Sequence, residues 1–282
     1  MAVDIETIVV GAGVVGLAIG RELARRGQEV LVLERNDLIG SETSSRNSEV
    51  VHAGIYYPTG SLRARLCVSG KELLYRFCAE SGVPVARTGK LLVATAEAQH
   101  GKLDALHRTA IANGVHDLVR LTPSEVSALE PEVRCTAALL SPSTGVIDSH
   151  AFMIALEGHL TSHGGQVVLS TPVERVTRGN DGAFRLHTGG ETQGTITCAR
   201  LVLSPGLGAT DLAGTLALPS GYGPPPTYFA KGQYYALSGR SPFSRHIYPM
   251  PDGAWLGLHA TVDIGGRCKF GPDIEWIPSI DY

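Results

Sequence analysis

Residues 5–34 read IETIVVGAGVVGLAIGRELARRGQEVLVLE, and this stretch decides the fold. The apolar run at 8–10 is typical of a buried parallel strand, and the run at 30–33 is typical of a second one. Between them, residues 14–26 carry apolar side chains at helical spacing, and Gly27 follows as a C-terminal cap. The stretch therefore predicts a βαβ unit.

The turn between the first strand and the helix carries Gly11, Gly13 and Gly16 in the spacing GxGxxG. The first glycine permits a tight turn, the second lets a pyrophosphate approach the backbone at the helix N-terminus, and the third allows close helix–sheet packing. Glu34 ends the second strand, 18 residues after Gly16, where a carboxylate accepts hydrogen bonds from ribose hydroxyls. A dinucleotide site is predicted, the alternative being a glycine-rich turn in another α/β protein.

The choice between FAD and NAD depends on the residues after the βαβ unit. The pair Glu34–Arg35 fits either cofactor, although an acid at this place disfavours the 2′-phosphate of NADP. A polar loop, SETSSRNS at 41–48, comes next instead of a run of further βαβ units. This order favours FAD.

The rest of the chain predicts further helices and a second sheet. Thr122, Pro123 and Glu125 form a capping box, and another helix begins after Asp148. Residues 173–197 predict an antiparallel meander, followed by a separate short strand at 201–204, and residues 228–270 predict strands of a second sheet. Further helices are predicted at 62–80 and 97–113, and further strands at 91–95 and 167–169.

Bulk properties exclude several classes of protein. The chain of 282 residues is 43% hydrophobic and 18% charged with net charge −3, which is typical of a globular protein and argues against a nucleic-acid partner. No apolar run is long enough to span a bilayer, and Asp4 and Glu6 argue against a signal peptide. Five scattered cysteines favour a reducing compartment, so we expect a cytoplasmic location, with peripheral contact with a membrane left open. No residues have metal-ligand spacing, and no metal is expected.

The stretch SETSSRNSEVVHAGIYYPTGSLRARLCVSG, at 41–70, resembles the L-2-hydroxyglutarate dehydrogenase/oxidase group of the D-amino-acid oxidase-like FAD-dependent superfamily. The resemblance continues in KGQYYAL (231–237), IYPMPDG (247–253) and LGLHATVDIGGRCKFGPD (256–273). It implies an α/β fold, α+β overall, in which a Rossmann-like FAD domain (1–75 and 145–215) is combined with a mixed-sheet substrate domain (76–144 and 216–282). It also implies that the chain lacks the family's C-terminal segment, which carries flavin contacts and a basic residue for a substrate carboxylate.

The resemblance also implies site residues. FAD is the expected cofactor. A flavin-side catalytic role is expected for His52, with His259 second. The substrate pocket is expected to include Tyr56, Tyr57, Tyr248 and His259. The expected FAD-binding residues are Gly11, Gly13, Val14, Val15, Gly16, Glu34, Arg35, Thr43, Ser44, Ser45, Arg46, Asn47, Ser48, Val51, His52, Val173, Pro205 and Gly206.

The implied reaction is the oxidation of a 2-hydroxy acid, a dicarboxylate like L-2-hydroxyglutarate, to the 2-oxo acid. A neutral imidazole at His52 would accept the hydroxyl proton while the flavin takes the hydride. If the tyrosine pair lies in a strand, at most one of Tyr56 and Tyr57 faces the pocket. Arg63 and Arg65 are candidates to bind an anion. Oxygen, a quinone and an electron-transfer protein all stay open as the electron acceptor, and an amine or amino-acid oxidase of the glycine-oxidase-like branch, or an inactive flavin-binding fragment, is the alternative.

Overall fold

The computed structural model describes residues 3–190, 193–217, 221–251 and 257–281. They form two compact units. The first unit comprises the described residues of Met1–Asn47 and Ser149–Tyr228 with 280–281, and the second comprises those of Ser48–Asp148 and Phe229–Ser279. Residues 48–75 thus belong to the second unit, whereas the sequence assigned them to the FAD domain; the functional division into domains stays a prediction.

Helices and strands are distributed along both units. The helices are α1 (Val14–Arg25), α2 (Leu62–Ser81), α3 (His100–Ala112), α4 (Pro123–Leu129), α5 (Ser149–Ser162) and α6 (Ala209–Gly214). The strands are β1 (Ile5–Val10), β2 (Val30–Leu33), β3 (Val50–Val51), β4 (Val85–Ala86), β5 (Lys90–Ala94), β6 (Val119–Leu121), β7 (Ala137–Ser141), β8 (Gly145–Ile147), β9 (Gln166–Val168), β10 (Val173–Arg178), β11 (Phe184–Thr188), β12 (Gly194–Leu203), β13 (Phe229–Ala236), β14 (His246–Pro249), β15 (His259–Val262) and β16 (Cys268–Ile277).

The predicted βαβ unit is confirmed in the first unit. β1 pairs in parallel with β2, with Val10 opposite Leu33, and α1 connects them. The face of α1 that carries Gly16 and Gly20 packs against the sheet, since a Cβ added to Gly20 would lie 3.1 Å from Cγ2 of Val32. β9 joins β2 in parallel, as the helix–strand pair at 149–168 predicted, and the sheet order is β10-β11-β12-β1-β2-β9.

One strand assignment was wrong. Instead of a meander strand and a separate strand at 201–204, β12 runs unbroken over Gly194–Leu203. Its first half pairs antiparallel with β11 and its second half pairs in parallel with β1, so the backbone stays extended throughout. The hydrophobic pattern changes midway because the strand changes partner. In the sequence, this change resembled a boundary between two strands.

The second unit contains a sheet of order β13-β16-β15-β14-β5-β7-β6 and a small sheet of order β3-β8-β4. Successive side chains of each strand point to opposite faces of the large sheet. Leu91 and Val93 pack on one face with Ile247, Ala260 and Val126 of α4. On the other face, Leu92, Ala94 and Tyr248 pack with residues of α3 and with Ile55.

The segment after β3 is a loop. His52 follows β3 directly, and Tyr56 and Tyr57 lie in bends that lead to α2, so the condition that the tyrosine pair lies in a strand is not met. Ser61 caps α2 by accepting a hydrogen bond from the Ala64 N–H at 3.2 Å. The β-rich composition of 50–57 therefore reflects burial in a compact loop.

Among the described residues, no helix is both long enough and apolar enough to cross a bilayer.

Candidate functional site

The glycine turn of the first unit requires glycine at two positions. Gly11 has φ +98°, and a Cβ there would lie 2.5 Å from the carbonyl oxygen of Ser204 and 2.9 Å from Cα of Pro205. A Cβ on Gly16 would lie 1.9 Å from the carbonyl oxygen of Gly11. The turn is thus held against the 204–205 segment by backbone contacts that a side chain would prevent.

The N-terminus of α1 is open to an anion. Gly13, its N-cap, offers no side-chain cap, and the first turn carries no acidic residue. The Val14 N–H donates to Oγ of Ser44 at 3.0 Å, and a Cβ on Gly13 would lie 2.9 Å from the same oxygen. No acidic side chain of the first turn of α1 neutralises the partial positive charge of this helix end, which suits a phosphate.

Glu34 is buried beside the start of this turn, with 7% of its surface exposed. Its Oε2 accepts a hydrogen bond from the Ala12 N–H at 2.7 Å, and its Oε1 accepts from the N–H of Asn36 at 3.0 Å. Its carbonyl oxygen accepts from the Thr171 N–H at 2.8 Å. The side chain is therefore not a surface acid, because its carboxylate ties the turn to the end of β2.

The polar loop after β2 is held largely by its own side chains. Ser45 Oγ donates to the carbonyl of Glu42 at 2.9 Å, and Asn47 Nδ2 donates to that of Ser44 at 2.8 Å. Arg46 Nη1 donates to the carbonyl of Glu42 at 3.1 Å, and Arg35 Nε donates to the carboxylate of Glu42 at 2.6 Å. These bonds shape the loop, so direct cofactor contacts by Arg35, Ser45, Arg46 and Asn47 stay a prediction.

The 204–206 segment completes the first cluster. The Ser204 N–H donates to the carbonyl of Val10 at 2.9 Å, and a Cβ on Gly206 would lie 3.9 Å from Oγ1 of Thr43. Pro205 therefore adjoins the glycine turn and Gly206 adjoins the polar loop, while the FAD contacts of both stay a prediction. Val173 begins β10, two positions after Thr171, while Val15 is an exposed residue of α1.

These residues fit a dinucleotide. A helix end free of acid faces a hydroxyl, close backbone packing excludes any Cβ from the turn, and a buried carboxylate lies at the end of the second strand. Ser48, Val51 and His52, also expected to bind FAD, belong to the second unit, and their role stays a prediction.

The second unit brings five side chains together, here called the Lys90 cluster: His52, Tyr56, Lys90, Tyr248 and His259. Nζ of Lys90 lies 4.6 Å from the ring centroid of Tyr56 and 4.5 Å from that of Tyr248. Another neighbour of Tyr248 is His259, whose ring stacks on it with centroids 3.7 Å apart and an interplanar angle of 7°. Four of the five residues were expected in the substrate pocket or in catalysis.

Burial dominates the electrostatics of this cluster. It lowers the pKa of Lys90 to about 7, with the Cys67 thiol acting in the opposite direction. It also lowers the pKa of His52 to about 3, aided by Lys90, His246 and His259. Burial raises the pKa of Tyr56 and of Tyr248, so both phenols stay neutral. Burial and the nearby Lys90 thus both favour the neutral form of the His52 imidazole.

His246 is a neighbour with a structural role. Its Nδ1 accepts from the Val262 N–H at 3.2 Å, and its Nε2 lies 3.3 Å from the carbonyl oxygen of Gly145. A neutral imidazole protonated on Nε2 satisfies both contacts. Burial lowers its pKa to about 4, which keeps it in that form.

Sequence reasoning missed Lys90 and His246, and it included Tyr57 without distinction from Tyr56. Tyr57 has Cys67 and Arg63 as electrostatic neighbours, and its carbonyl oxygen accepts a hydrogen bond from Nδ2 of Asn113 at 2.8 Å. Lys90 begins the strand KLLVA, every residue of which is buried. A lysine in such a strand was a usable signal, since lysine is almost never fully buried without a reason.

The described residues contain neither a cluster of metal ligands nor a disulfide. No group of three or more potential ligand side chains clusters around a metal site within the described ranges. All five cysteines are free; Cys78, Cys198 and Cys268 are buried, and Cys67 and Cys135 are partly buried.

Comparisons with known proteins identify the family of this chain. Residues 6–281 match the family described as FAD dependent oxidoreductase (DAO). The protein named "L-2-hydroxyglutarate dehydrogenase, mitochondrial" from Arabidopsis thaliana is 41% identical over 310 residues, covering 98% of this chain and 63% of that protein. The chain thus spans less than two thirds of this relative's length.

Two solved structures show the fold. L-alpha-glycerophosphate oxidase from Mycoplasma pneumoniae, dithionite reduced and with FAD bound, has a TM-score of 0.87 at 24% identity, covering 98% of this chain and 72% of that one. Glycine oxidase from Geobacillus kaustophilus has a TM-score of 0.79 at 22% identity, covering 96% and 71%. Together the comparisons confirm the predicted family, fold class and cofactor, FAD.

Proposed function

The chain belongs to the FAD-dependent oxidoreductase family, and we propose that it oxidises a 2-hydroxy acid, a dicarboxylate like L-2-hydroxyglutarate, to the 2-oxo acid. The observation that carries the proposal is the 41% identity, across 98% of the chain, to a relative with that substrate in its name. Because the chain spans 63% of that relative, the activity of the whole protein is proposed as well.

The first cluster supplies the cofactor site. Gly11, Gly13 and Gly16 give the pyrophosphate access to the N-terminus of α1, Ser44 lies beside it, and Glu34 is the acceptor for a ribose hydroxyl. When bound, FAD supplies the acceptor for the hydride that leaves the substrate carbon.

His52 is the proposed proton acceptor. It is neutral in the ligand-free protein, since burial and Lys90 lower its pKa to about 3. A base this weak takes a proton poorly, but an anionic substrate brings negative charge into the cluster and raises the pKa of the imidazole. Binding of the substrate thus prepares His52 to accept the hydroxyl proton as the hydride leaves.

The tyrosines orient the substrate. Tyr56 and Tyr248 keep their protons, because burial raises the pKa of each phenol. Both can therefore donate hydrogen bonds to a carboxylate or hydroxyl oxygen. His259, stacked on Tyr248, fixes that ring and is the second candidate for proton transfer. Tyr57 lies outside the Lys90 cluster, and we assign it no role beyond lining the substrate pocket.

Several points remain proposals. Arg63 and Arg65 lie on exposed positions of α2, where they can attract an anion from solvent. The electron acceptor stays open among oxygen, a quinone and an electron-transfer protein. A reducing, cytoplasmic location fits five free cysteines, with peripheral contact with a membrane left open, although the Arabidopsis relative is named as mitochondrial.

An anaerobic titration of the purified protein tests the proposal. L-2-hydroxyglutarate is expected to bleach the visible absorption of the flavin, while its D-enantiomer, glycine and proline leave it unchanged. Bleaching by glycine alone would favour the amine-oxidase alternative, which the glycine oxidase similarity keeps open. A yellow protein that no hydroxy or amino acid reduces would identify a flavin-binding chain without activity.

A further inference from the structure

Lys90 is the least expected residue of the second unit. Its side chain is wholly buried, and its Nζ makes no hydrogen bond to any residue in the described ranges. A buried polar group without a partner is costly, and in native proteins it usually marks a ligand, an ion or a functional role. A charged amine in that position is costlier still.

The sheet fixes the direction of this side chain. β5 lies between β7 and β14, and Lys90 pairs with Ser141 on one side and with His246 on the other. Alternation places Lys90 on the same face as Leu92 and Ala94. That face also carries Tyr248 in the adjacent strand. The amine is therefore held towards the aromatic rings by the register of three strands.

The surroundings of Lys90 offer rings and neutral groups. Tyr56 from the loop before α2 and Tyr248 from β14 present their rings to Nζ, and Cys67 of α2 is the group that raises its pKa. The Cys67 thiol is itself neutral because burial raises its pKa. His246 is neutral with both ring nitrogens engaged. None of these described neighbours is a carboxylate, so none of them would balance the positive charge of a protonated Lys90.

We propose that Lys90 supplies the positive charge that holds a carboxylate of the substrate on this face of the sheet, beside Tyr56 and Tyr248. The chemical class of the ligand, a small carboxylate, follows from the charge; its identity as a 2-hydroxy acid rests on the proposed function. Tyr56 is partly exposed whereas Tyr248 is buried, so the carboxylate approaches from the side of Tyr56. The two rings stabilise the ammonium form of Lys90.

Binding of a carboxylate then couples to proton uptake. In the ligand-free protein, burial holds the pKa of Lys90 near 7, so above that pH most of the amine is neutral. A carboxylate raises this pKa, and the amine takes up a proton as the anion binds. The neighbours His52 and His246, with their lowered pKa values, are already neutral there, and the Cys67 thiol and both tyrosines keep their protons. Affinity therefore falls as the pH rises above the pKa of free Lys90.

Two variants separate this role from a loss of packing. Lys90→Met keeps an unbranched side chain of nearly the same length and removes the charge. Lys71→Met is the matched control, because Lys71 is another buried lysine of the same unit, whose Nζ donates to Oγ of Ser143 at 2.8 Å and pairs with Glu72 at 3.2 Å. Both variants remove a buried amine, but only Lys90→Met removes the proposed anion site.

The measurement is calorimetric titration of the FAD-loaded protein with 2-oxoglutarate. Dimethyl succinate, which is neutral, is the control ligand without a carboxylate. Lys90→Met is expected to weaken 2-oxoglutarate binding by about 10- to 100-fold, the scale of one lost charge-assisted contact. Lys71→Met is expected to leave it unchanged. Equal losses in both variants, or no loss in Lys90→Met, would overturn the proposal.

Proton uptake tests the wild-type protein without any variant. Titration near about pH 8 in two buffers of different ionisation enthalpy gives the number of protons taken up, and a value of up to about one is expected. In Lys90→Met the uptake is expected to fall sharply, whereas proton uptake by His52 or His259 would persist in that variant. Binding without proton uptake in the wild type would overturn the assignment even if Lys90→Met failed to fold.

The outcomes also separate this inference from the proposed function. If 2-oxoglutarate binds through Lys90 but no hydroxy acid reduces the flavin, the proposed reaction fails and the anion site stands. If L-2-hydroxyglutarate reduces the flavin equally well in Lys90→Met and in wild type, with the same KM and pH dependence, the reaction stands and the anion site is wrong.

Discussion

The two clusters are built by different means. The glycine turn of the first unit is built mainly from backbone: it depends on the absence of side chains at Gly11 and Gly16, on N–H groups at a helix end, and on one carboxylate, Glu34. The Lys90 cluster of the second unit depends on side chains that are distant in the chain: Lys90, Tyr248 and His259 lie on β5, β14 and β15, and His52 and Tyr56 lie in the loop after β3.

This difference explains why one cluster is visible in the sequence and the other is not. A backbone site requires glycine at fixed spacing within one turn, so its sequence signature is local. A side-chain cluster on a sheet requires only that strands pair in a certain register, and residues distant in the chain then meet. Substitutions that add side-chain atoms should therefore disrupt the glycine turn, whereas substitutions that remove charge should disrupt the Lys90 cluster.

The largest effect is expected from Gly16→Val. Its Cβ would lie 1.9 Å from the carbonyl oxygen of Gly11, a backbone atom that cannot move aside without opening the turn. We expect a loss of about 4 kcal/mol or more in unfolding free energy, enough to prevent folding of the first unit. Circular dichroism and limited proteolysis measure it.

Gly158→Ala is the control for this change. Gly158 lies in α5 of the same unit, and a Cβ added to it would have no atom within 4 Å, so alanine there should be neutral or stabilising. A folded, FAD-containing Gly16→Val protein would show that the turn tolerates a side chain.

Gly13→Val should separate cofactor binding from folding. A Cβ at Gly13 meets only the hydroxyl of Ser44, at 2.9 Å, and that side chain can rotate. The fold should persist, while the added atoms occupy the approach of the pyrophosphate to α1 and abolish binding. Chromatography of the cofactor released on denaturation should give FAD from the wild type and none from the variant. NADH in place of FAD, or FAD retained by the variant, would contradict the assignment.

The sequence predicted those features that local physics determines. The capping box at Thr122 is present, since the Glu125 N–H donates to Oγ1 of Thr122 at 3.3 Å and the Thr122 N–H donates to the Glu125 carboxylate at 2.7 Å. The βαβ unit, the helix after Asp148 and the meander are local patterns too. Their periodicity and end signals lie within a few residues of one another.

The sequence did not predict what tertiary context determines. The continuity of β12 depends on a change of partner strand, and the loop conformation of Tyr56 and Tyr57 depends on packing of the segment before α2. Lys90 was overlooked because its role depends on Tyr248, more than 150 positions later in the chain. Residues 252–256 of the resembling stretches lie outside the described residues.

His52→Ala tests the side-chain cluster by its chemistry. Loss of the proton acceptor is expected to slow flavin reduction by a 2-hydroxy acid by about 10²-fold or more, with FAD still bound. Stopped-flow absorbance under anaerobic conditions measures the rate. His100→Ala is the control, because His100 lies in α3 of the same unit and contacts Oγ1 of Thr136 at 2.9 Å. An unchanged rate in His52→Ala would leave this imidazole a packing residue.

The smallest effect is expected from Glu34→Ala, and it sharpens the comparison because Glu34 is the one side chain on which the backbone site depends. Loss of its charge-assisted hydrogen bonds should weaken FAD binding by about 1–3 kcal/mol. Two causes contribute: the ribose loses an acceptor, and the Ala12 N–H loses the Oε2 that it contacts at 2.7 Å.

Glu34→Gln separates these two causes. The amide oxygen can still accept from the Ala12 N–H, so the turn keeps its shape while the negative charge is lost. Fluorescence titration of the apoprotein with FAD measures both variants. An intermediate affinity for Glu34→Gln is expected, since the neutral acceptor supports the turn but binds the ribose hydroxyl less strongly than a carboxylate does. Equal affinity in wild type and Glu34→Ala would mean that the backbone alone holds the dinucleotide and that this buried carboxylate serves only the turn.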